Sequence, residues 1–106
     1  MKVIYIAGKY RAKTEWQLIK NIRLAEVAAR KLWAEGWAVI CPHKNTSHFG
    51  GLLDDEEKDH QLWIDGDLEL LRRCDAIFML RNWQSSNGAK RELQLAQNLG
   101  LEIFYQ

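Results

Sequence analysis

The sequence predicts a three-layer α/β domain of the flavodoxin or Rossmann type, with a parallel sheet of four or five strands and helices on both faces. Two observations carry this. Short apolar, β-prone runs alternate with segments of helical period along the chain, and a glycine, a proline or a capping residue stands at most of the changes. Right-handed crossovers between parallel strands leave few other arrangements.

The first run, Val3-Ile4-Tyr5-Ile6-Ala7, ends at Gly8 and suits a strand buried on both faces. From Thr14 the period changes: Thr14-Glu15-Trp16-Gln17 fits a capping box, and Leu18, Ile22, Ala25, Ala29 and Leu32 recur at helical spacing until Gly36. Trp37 to Cys41 reads as a second strand, stopped by Pro42. The polar stretch from His43 to Asp55 holds the pair Gly50-Gly51, and so long a loop in a small domain is commonly functional or mobile. Helical spacing resumes near Glu56 and runs to about Arg73, with His60, Trp63, Ile64, Asp67, Leu70 and Leu71 on one side. Asp75 to Leu80 makes a third strand, Arg81 to Ser86 a turn, Asn87 to Leu99 a helix closed by Gly100, and Leu101 to Tyr105 a last strand.

A chain of 106 residues suits one hydrophobic core, so 1–106 is expected to form a single domain. Its 47% hydrophobic and 27% charged residues lie near globular averages. A net charge of +1 without a basic stripe disfavours a nucleic-acid polymer as partner. No apolar run approaches the roughly 18 to 20 residues that span a bilayer, and the start is too short for a signal peptide, so no membrane partner is expected. Cys41 and Cys74 lack C-x-x-C spacing and each adjoins a strand, which points to a reducing, cytoplasmic setting. The histidines His43, His48 and His60 show no zinc-like spacing, so neither metal nor cofactor is expected.

In open α/β sheets ligands bind outside the carboxyl ends of the strands. Three segments gather there: Gly8-Lys9-Tyr10-Arg11; Pro42 to Thr46, with His43 and Asn45; and Trp83 to Gly88. The first offers a glycine and two cations for a phosphate, but is neither G-x-G-x-x-G nor a P-loop; solvated charges after a strand-ending glycine would look the same. In the third, Ser86 and Asn87 can cap the next helix, Gly88 admits a ligand to its first turn, and the helix dipole favours an anion. Trp83 either joins the core or stacks on a base. Gly66, inside a helix, leaves room that a ligand can use.

Ala89, Glu92, Leu93, Ala96 and Leu99 share a helical face, which puts the Glu92 carboxylate on the sheet-facing stripe or at its margin. Asp67, four residues after Trp63 and three before Leu70, interrupts an apolar stripe in the same way, whether as part of a site, as a buried cap or as partner of an arginine such as Arg11. Buried carboxylates are unfavourable without partners, so two on inward faces point to a shared polar site. Such a pair beside helix N–H groups suits glycosyl transfer, one carboxylate attacking the anomeric carbon and the other managing a proton or leaving group.

These residues resemble the nucleoside 2-deoxyribosyltransferase-like superfamily, especially its small phage and bacterial branch. The matching pieces are Ile4 to Gly8, Gly36 to Pro42, Gly66-Asp67-Leu68 ahead of Cys74-Asp75-Ala76-Ile77, and Trp83 to Glu92 leading to Ala96 and Gly100. The resemblance implies a flavodoxin-like sheet, a glutamate that forms a covalent glycosyl intermediate, matched by Glu92, and an aspartate assisting at the base, matched by Asp67. It is similar also to nucleotide N-hydrolases, which implies that Gly8 to Arg11, Ser86 and Gly88 hold a 5′-phosphate. Ser86 stands where transferases of unphosphorylated nucleosides tend to carry an acid, which favours a nucleoside monophosphate. Two departures accompany it: Lys90-Arg91 replaces a small or aromatic pair, and no C-terminal extension follows the last strand.

The expected activity is therefore a nucleotide N-glycosidase or (deoxy)ribosyltransferase. A non-catalytic module binding a nucleotide or nucleotide-sugar at the same edge is the alternative. A homo-oligomer is expected, with exposed Trp and Leu residues of the first helix as its interface.

Overall fold

A computed structural model describes residues 1–106. Strand β1, Val3–Ala7, is built from residues that favour a pleated backbone, and its alternation decides the layers. Ile4 and Ile6 face one side of the sheet; Tyr5 and Ala7 face the other. Helix α1, Glu15–Ala34, starts at Thr14, whose Oγ1 accepts the Gln17 N–H at 3.1 Å. The capping box is only half made, because the Gln17 side chain donates instead to Asn21 Oδ1 at 3.1 Å.

Strand β2, Ala38–Ile40, is shorter than the run Trp37–Cys41. Its first residue, Trp37, turns across the sheet to meet Phe104 edge-on at 5.7 Å between ring centroids. The expected loop then opens with a short helix, α2, Pro42–Asn45. Pro42 at its first position has φ already set and lacks only an N–H that a helix start leaves unbonded, so the residue that ends β2 also begins α2. Helix α3, Glu56–Arg72, is capped by Asp55, whose Oδ1 accepts from Glu57 at 2.8 Å and Lys58 at 3.3 Å. Strand β3, Ala76–Met79, leads through a 3-10 turn, Trp83–Ser85, into helix α4, Asn87–Leu99. Gly100, at φ +71°, closes α4 in the left-handed conformation that glycine adopts without strain, and strand β4, Glu102–Tyr105, follows.

The four strands are parallel in the order β2-β1-β3-β4. The chain winds outward from β1 to β2, then crosses back to β3, so its direction reverses between β1 and β3, where an open sheet forms its crevice. Helix α1 covers one face, its Ala25, Ala28, Ala29 and Leu32 meeting Ile4, Ile6, Ala76 and Leu80. On the other, Leu71 of α3 and Ala89, Leu93 and Ala96 of α4 meet Tyr5, Ala7, Ile77 and Met79. This is the three-layer arrangement the sequence predicts. No helix is long and apolar enough to cross a membrane.

Gly8 is where β1 meets the end of β3. A Cβ there would lie 2.5 Å from Leu80 Cδ1, 2.8 Å from Leu80 Cβ and 2.9 Å from Asn82 Oδ1. Leu80 is fully buried and Asn82 Oδ1 accepts the Lys9 N–H at 2.9 Å, so neither can yield freely. Packing inside the protein is by itself enough to require glycine at this position. Gly8→Ala is expected to lower unfolding free energy in urea by about 2 kcal/mol with an unchanged denaturant slope.

Candidate active site

At the carboxyl edge of β1 and β3 lies a cavity of about 930 Å³. Its walls come from the end of β1, from α2, from the segment 46–54, from one face of α3 and from the first two turns of α4. The loop after β1 is held rigidly as one of them. The Lys9 N–H donates to Asn82, the Lys9 carbonyl accepts from His43 Nε2 at 3.1 Å, and the Tyr10 carbonyl accepts from Asn21 Nδ2 at 3.1 Å. Since a carbonyl only accepts, His43 carries its proton on Nε2; Nδ1 is a buried acceptor without a protein partner. Burial lowers the His43 pKa, against the opposing Lys9 hydrogen bond, and so favours the neutral ring.

The floor is a cluster of ionisable groups. The Tyr5 hydroxyl, on a residue with no exposed surface, donates a hydrogen bond to Glu92 Oε2. Glu92 reaches it because Ala89, Leu93 and Ala96 fix the inward face of α4, and Glu92 stands beside Leu93 on that stripe. Burial pushes the Glu92 carboxyl up to about 8, with the Asp67 charge adding to the rise and the Tyr5 hydrogen bond and Arg91 opposing it. Asp67, on the cavity face of α3, makes no hydrogen bond or ion pair with a side chain, and burial raises it to about 6. It is neither a cap nor an arginine's partner. The Tyr5 phenol lies well above its ordinary value through burial and then the charges of Glu92 and Asp67.

The rim carries the opposite sign. Lys9, Arg11 and Arg91 line the cavity, and none of them is in an ion pair. Burial and then the nearby Arg11 lower the pKa of His60 beside them. At the start of α4, Ser86 Oγ accepts the Ala89 N–H at 3.1 Å, which leaves the Asn87 and Gly88 N–H groups as the unbonded donors of that terminus. A Cβ on Gly88 would meet only Ser86 Oγ, at 3.8 Å, so packing within the chain does not demand glycine there.

The sequence-derived residues Gly8, Lys9, Tyr10, Arg11, His43, Asp67, Ser86, Asn87, Gly88 and Glu92 all line this one cavity. Asn45 and Trp83 do not. Asn45 ends α2 on the far side, against a separate shallow depression with Val39 and Leu70. Trp83, in the 3-10 turn, packs half-buried against the core and the Tyr105 ring, 6.0 Å away, and so stands outside the cavity wall. Gly66 is exposed, meets nothing within 4 Å and opens no space in the cavity. Tyr5, Asp59, His60, Trp63 and Arg91 are the functional candidates that the sequence reading passes over. For Tyr5 a signal exists: a phenol within a strand buried on both faces needs a hydrogen-bond partner.

Residues 2–105 match the family described as a domain of unknown function, DUF4406. The chain belongs to the DUF4406 family. No protein of curated function matches this DUF4406 chain. Among solved structures it resembles the 2-deoxyribosyltransferase of the psychrotolerant bacterium Bacillus psychrosaccharolyticus, described as a biocatalyst for nucleoside synthesis. The TM-score is 0.69 at 21% identity, over 97% of this chain and 70% of that one. The likeness shows that this chain has the nucleoside 2-deoxyribosyltransferase-like fold.

The raised carboxyls make stability depend on pH. An unfolded glutamate titrates at about 4.3, and folded Glu92 at about 8. The folded protein therefore holds the proton more tightly, and stability falls as pH rises between those values. Replacing Glu92 by Gln should remove that loss: relative to the parent, the variant gains on the order of 3 kcal/mol between pH 5 and pH 8. Chemical denaturation at the two pH values measures it.

Proposed function

We propose that this DUF4406 chain cleaves the base–sugar bond of a nucleoside monophosphate, with Glu92 as nucleophile. The observation that carries the reading is the hydrogen bond from buried Tyr5 to half-buried Glu92, with Asp67 facing the same cavity, beneath a rim of unpaired cations. The rim, with the free N–H groups of Asn87 and Gly88, suits a phosphate, and the floor suits an anomeric carbon.

Between about 6 and about 8 the two carboxyls hold one proton between them. One charged and one protonated carboxyl is the state that the reaction needs. Glu92 holds the proton more tightly, so it must pass to Asp67 before attack; the Tyr5 hydroxyl lowers the cost of leaving Glu92 charged. A Glu92 oxygen then bonds to C1′ as the C1′–N bond breaks, and the bond's electron pair leaves on the base, which takes its proton from Asp67. In the second half, water or the nitrogen of another base attacks C1′, gives its proton to Asp67 and releases Glu92. The choice between water and base sets hydrolysis against transfer.

Incubation with a panel of nucleoside monophosphates and chromatography for free base tests this directly. Base release is expected, falling at least 100-fold in Asp67→Asn and further in Glu92→Ala. No release across the panel, or equal release by Glu92→Ala, would sink the reading. The profile of kcat/KM against pH should be bell-shaped with limbs near 6 and 8; Tyr5→Phe, which removes a bond favouring ionised Glu92, should move the alkaline limb upward. Gly88→Ala should fold as well as the parent or better, since alanine favours a helix by up to about 1 kcal/mol, yet raise KM by crowding the terminus.

A second reading, a nucleotide-binding module without turnover, draws on the order of the two carboxyls. A protonated Glu92 is a neutral hydrogen-bonding wall and no nucleophile. Under it, a nucleoside monophosphate raises the melting temperature and is recovered unchanged after long incubation.

A further inference from the structure

Of the five tryptophans, Trp63 alone lines the cavity, and it belongs to neither core. Trp37 and Trp83 pack against the two cores, and Trp16 and Trp33 stand exposed on α1. A half-buried indole outside the core has no packing duty that explains its size. Its surroundings are the cavity and the segment between α2 and α3, from which Phe49 meets it edge-on, 6.1 Å between ring centroids. That segment is fixed by Asp59, a buried carboxylate in the first turn of α3. Its Oδ2 accepts the Gly51 N–H at 3.0 Å and its Oδ1 the Leu53 N–H at 2.8 Å. The position of Phe49 beside Trp63 is thus set by charge-assisted bonds to the same helix that carries Trp63.

Height along α3 supplies the rest. Trp63 precedes Asp67 by four residues, one turn, so the two side chains share a face about 6 Å apart along the axis. A group that takes a proton from Asp67 therefore lies within reach of the indole. Of the other rings lining the cavity, Tyr10 and His43 already meet each other edge-on at 5.9 Å, and His60 is an imidazole of smaller face than an indole.

We propose that Trp63, bordered by Phe49, is the platform on which a planar heteroaromatic base lies flat, in the place the sequence assigns to Trp83. The inference rests on the nucleotide reading above and names the part of the ligand that the α3 wall recognises. Flat stacking on indole selects for an aromatic ring and discriminates weakly among bases. It assigns base recognition to α3 and the Asp59-fixed segment, and phosphate recognition to the β1 loop and α4.

Equilibrium calorimetry with two probes separates these roles: a nucleoside 5′-monophosphate, and the corresponding pentose 5-phosphate, which has no base. Trp63→Leu is expected to weaken the nucleotide by about 10- to 100-fold and the sugar phosphate by less than about twofold. Trp63→Phe, which keeps a ring, should recover most of the affinity. Phe49→Ala, an exposed substitution that leaves the core untouched, should weaken the nucleotide alone by a smaller factor. Equal weakening of both probes by Trp63→Leu, unchanged nucleotide binding in it, or no nucleotide binding by the parent overturns the proposal. Nucleotide binding that depends on Trp63 without base release would instead end the catalytic reading and leave this one standing. Base release indifferent to Trp63→Leu would do the reverse.

Discussion

A phenol sealed inside a parallel sheet must give its proton to something, and in this chain the acceptor is Glu92. That one bond fixes much of the site. Tyr5 sits in the middle of β1, where both faces are covered and its side chain has no exposed surface. The acceptor must come from the helix lying over that face, so α4 has to present a polar residue between Ala89 and Leu93 in register with Tyr5. The result is a carboxyl held in apolar surroundings, with its proton affinity raised and its direction set by a strand. Asp67 shares the electrostatic strain from the neighbouring helix, and the two together form a site whose charge state changes within the neutral range.

The cavity is organised by charge along its depth. Carboxyls lie at the floor, where burial governs them; Lys9, Arg11 and Arg91 stand at the rim, outside any ion pair. A ligand with an anionic end and an electrophilic carbon a few bonds away matches that gradient. The walls are stiff where the backbone is bonded across elements, as Lys9 is to Asn82 and His43. The segment between α2 and α3 is tied to the scaffold mainly through Asp59.

Periodicity and punctuation specified the elements, because they act locally. The alternation of Val3–Ala7, the caps Thr14, Asp55 and Ser86, and the closing Gly100 each determine a structure within a few residues of themselves. Glu92 and Asp67 were legible for a related reason: a carboxyl on an apolar helical stripe is visible as a break in the pattern. The edge of the sheet was legible because strand-to-helix turns in a parallel fold have only one end at which to converge.

What the sequence by itself determined is therefore the layer order, the edge that bears the site and the two inward carboxylates. The tertiary structure alone decided their partners and the remaining walls. The phenol of Tyr5 signals that a partner is needed, but only the fold shows that the partner is Glu92, 87 residues away in sequence. Trp63 reads in sequence as one residue of an apolar helical stripe and Trp83 as part of the sheet edge, yet the 3-10 turn packs Trp83 against the core while α3 keeps Trp63 on the cavity wall. That Gly8 has no room for a side chain beside Leu80 and Asn82 is set by how closely β1 and β3 approach. Local patterns record how far a residue prefers water or a given backbone; which group it touches depends on distances across the sheet, and those exist only once the strands are paired.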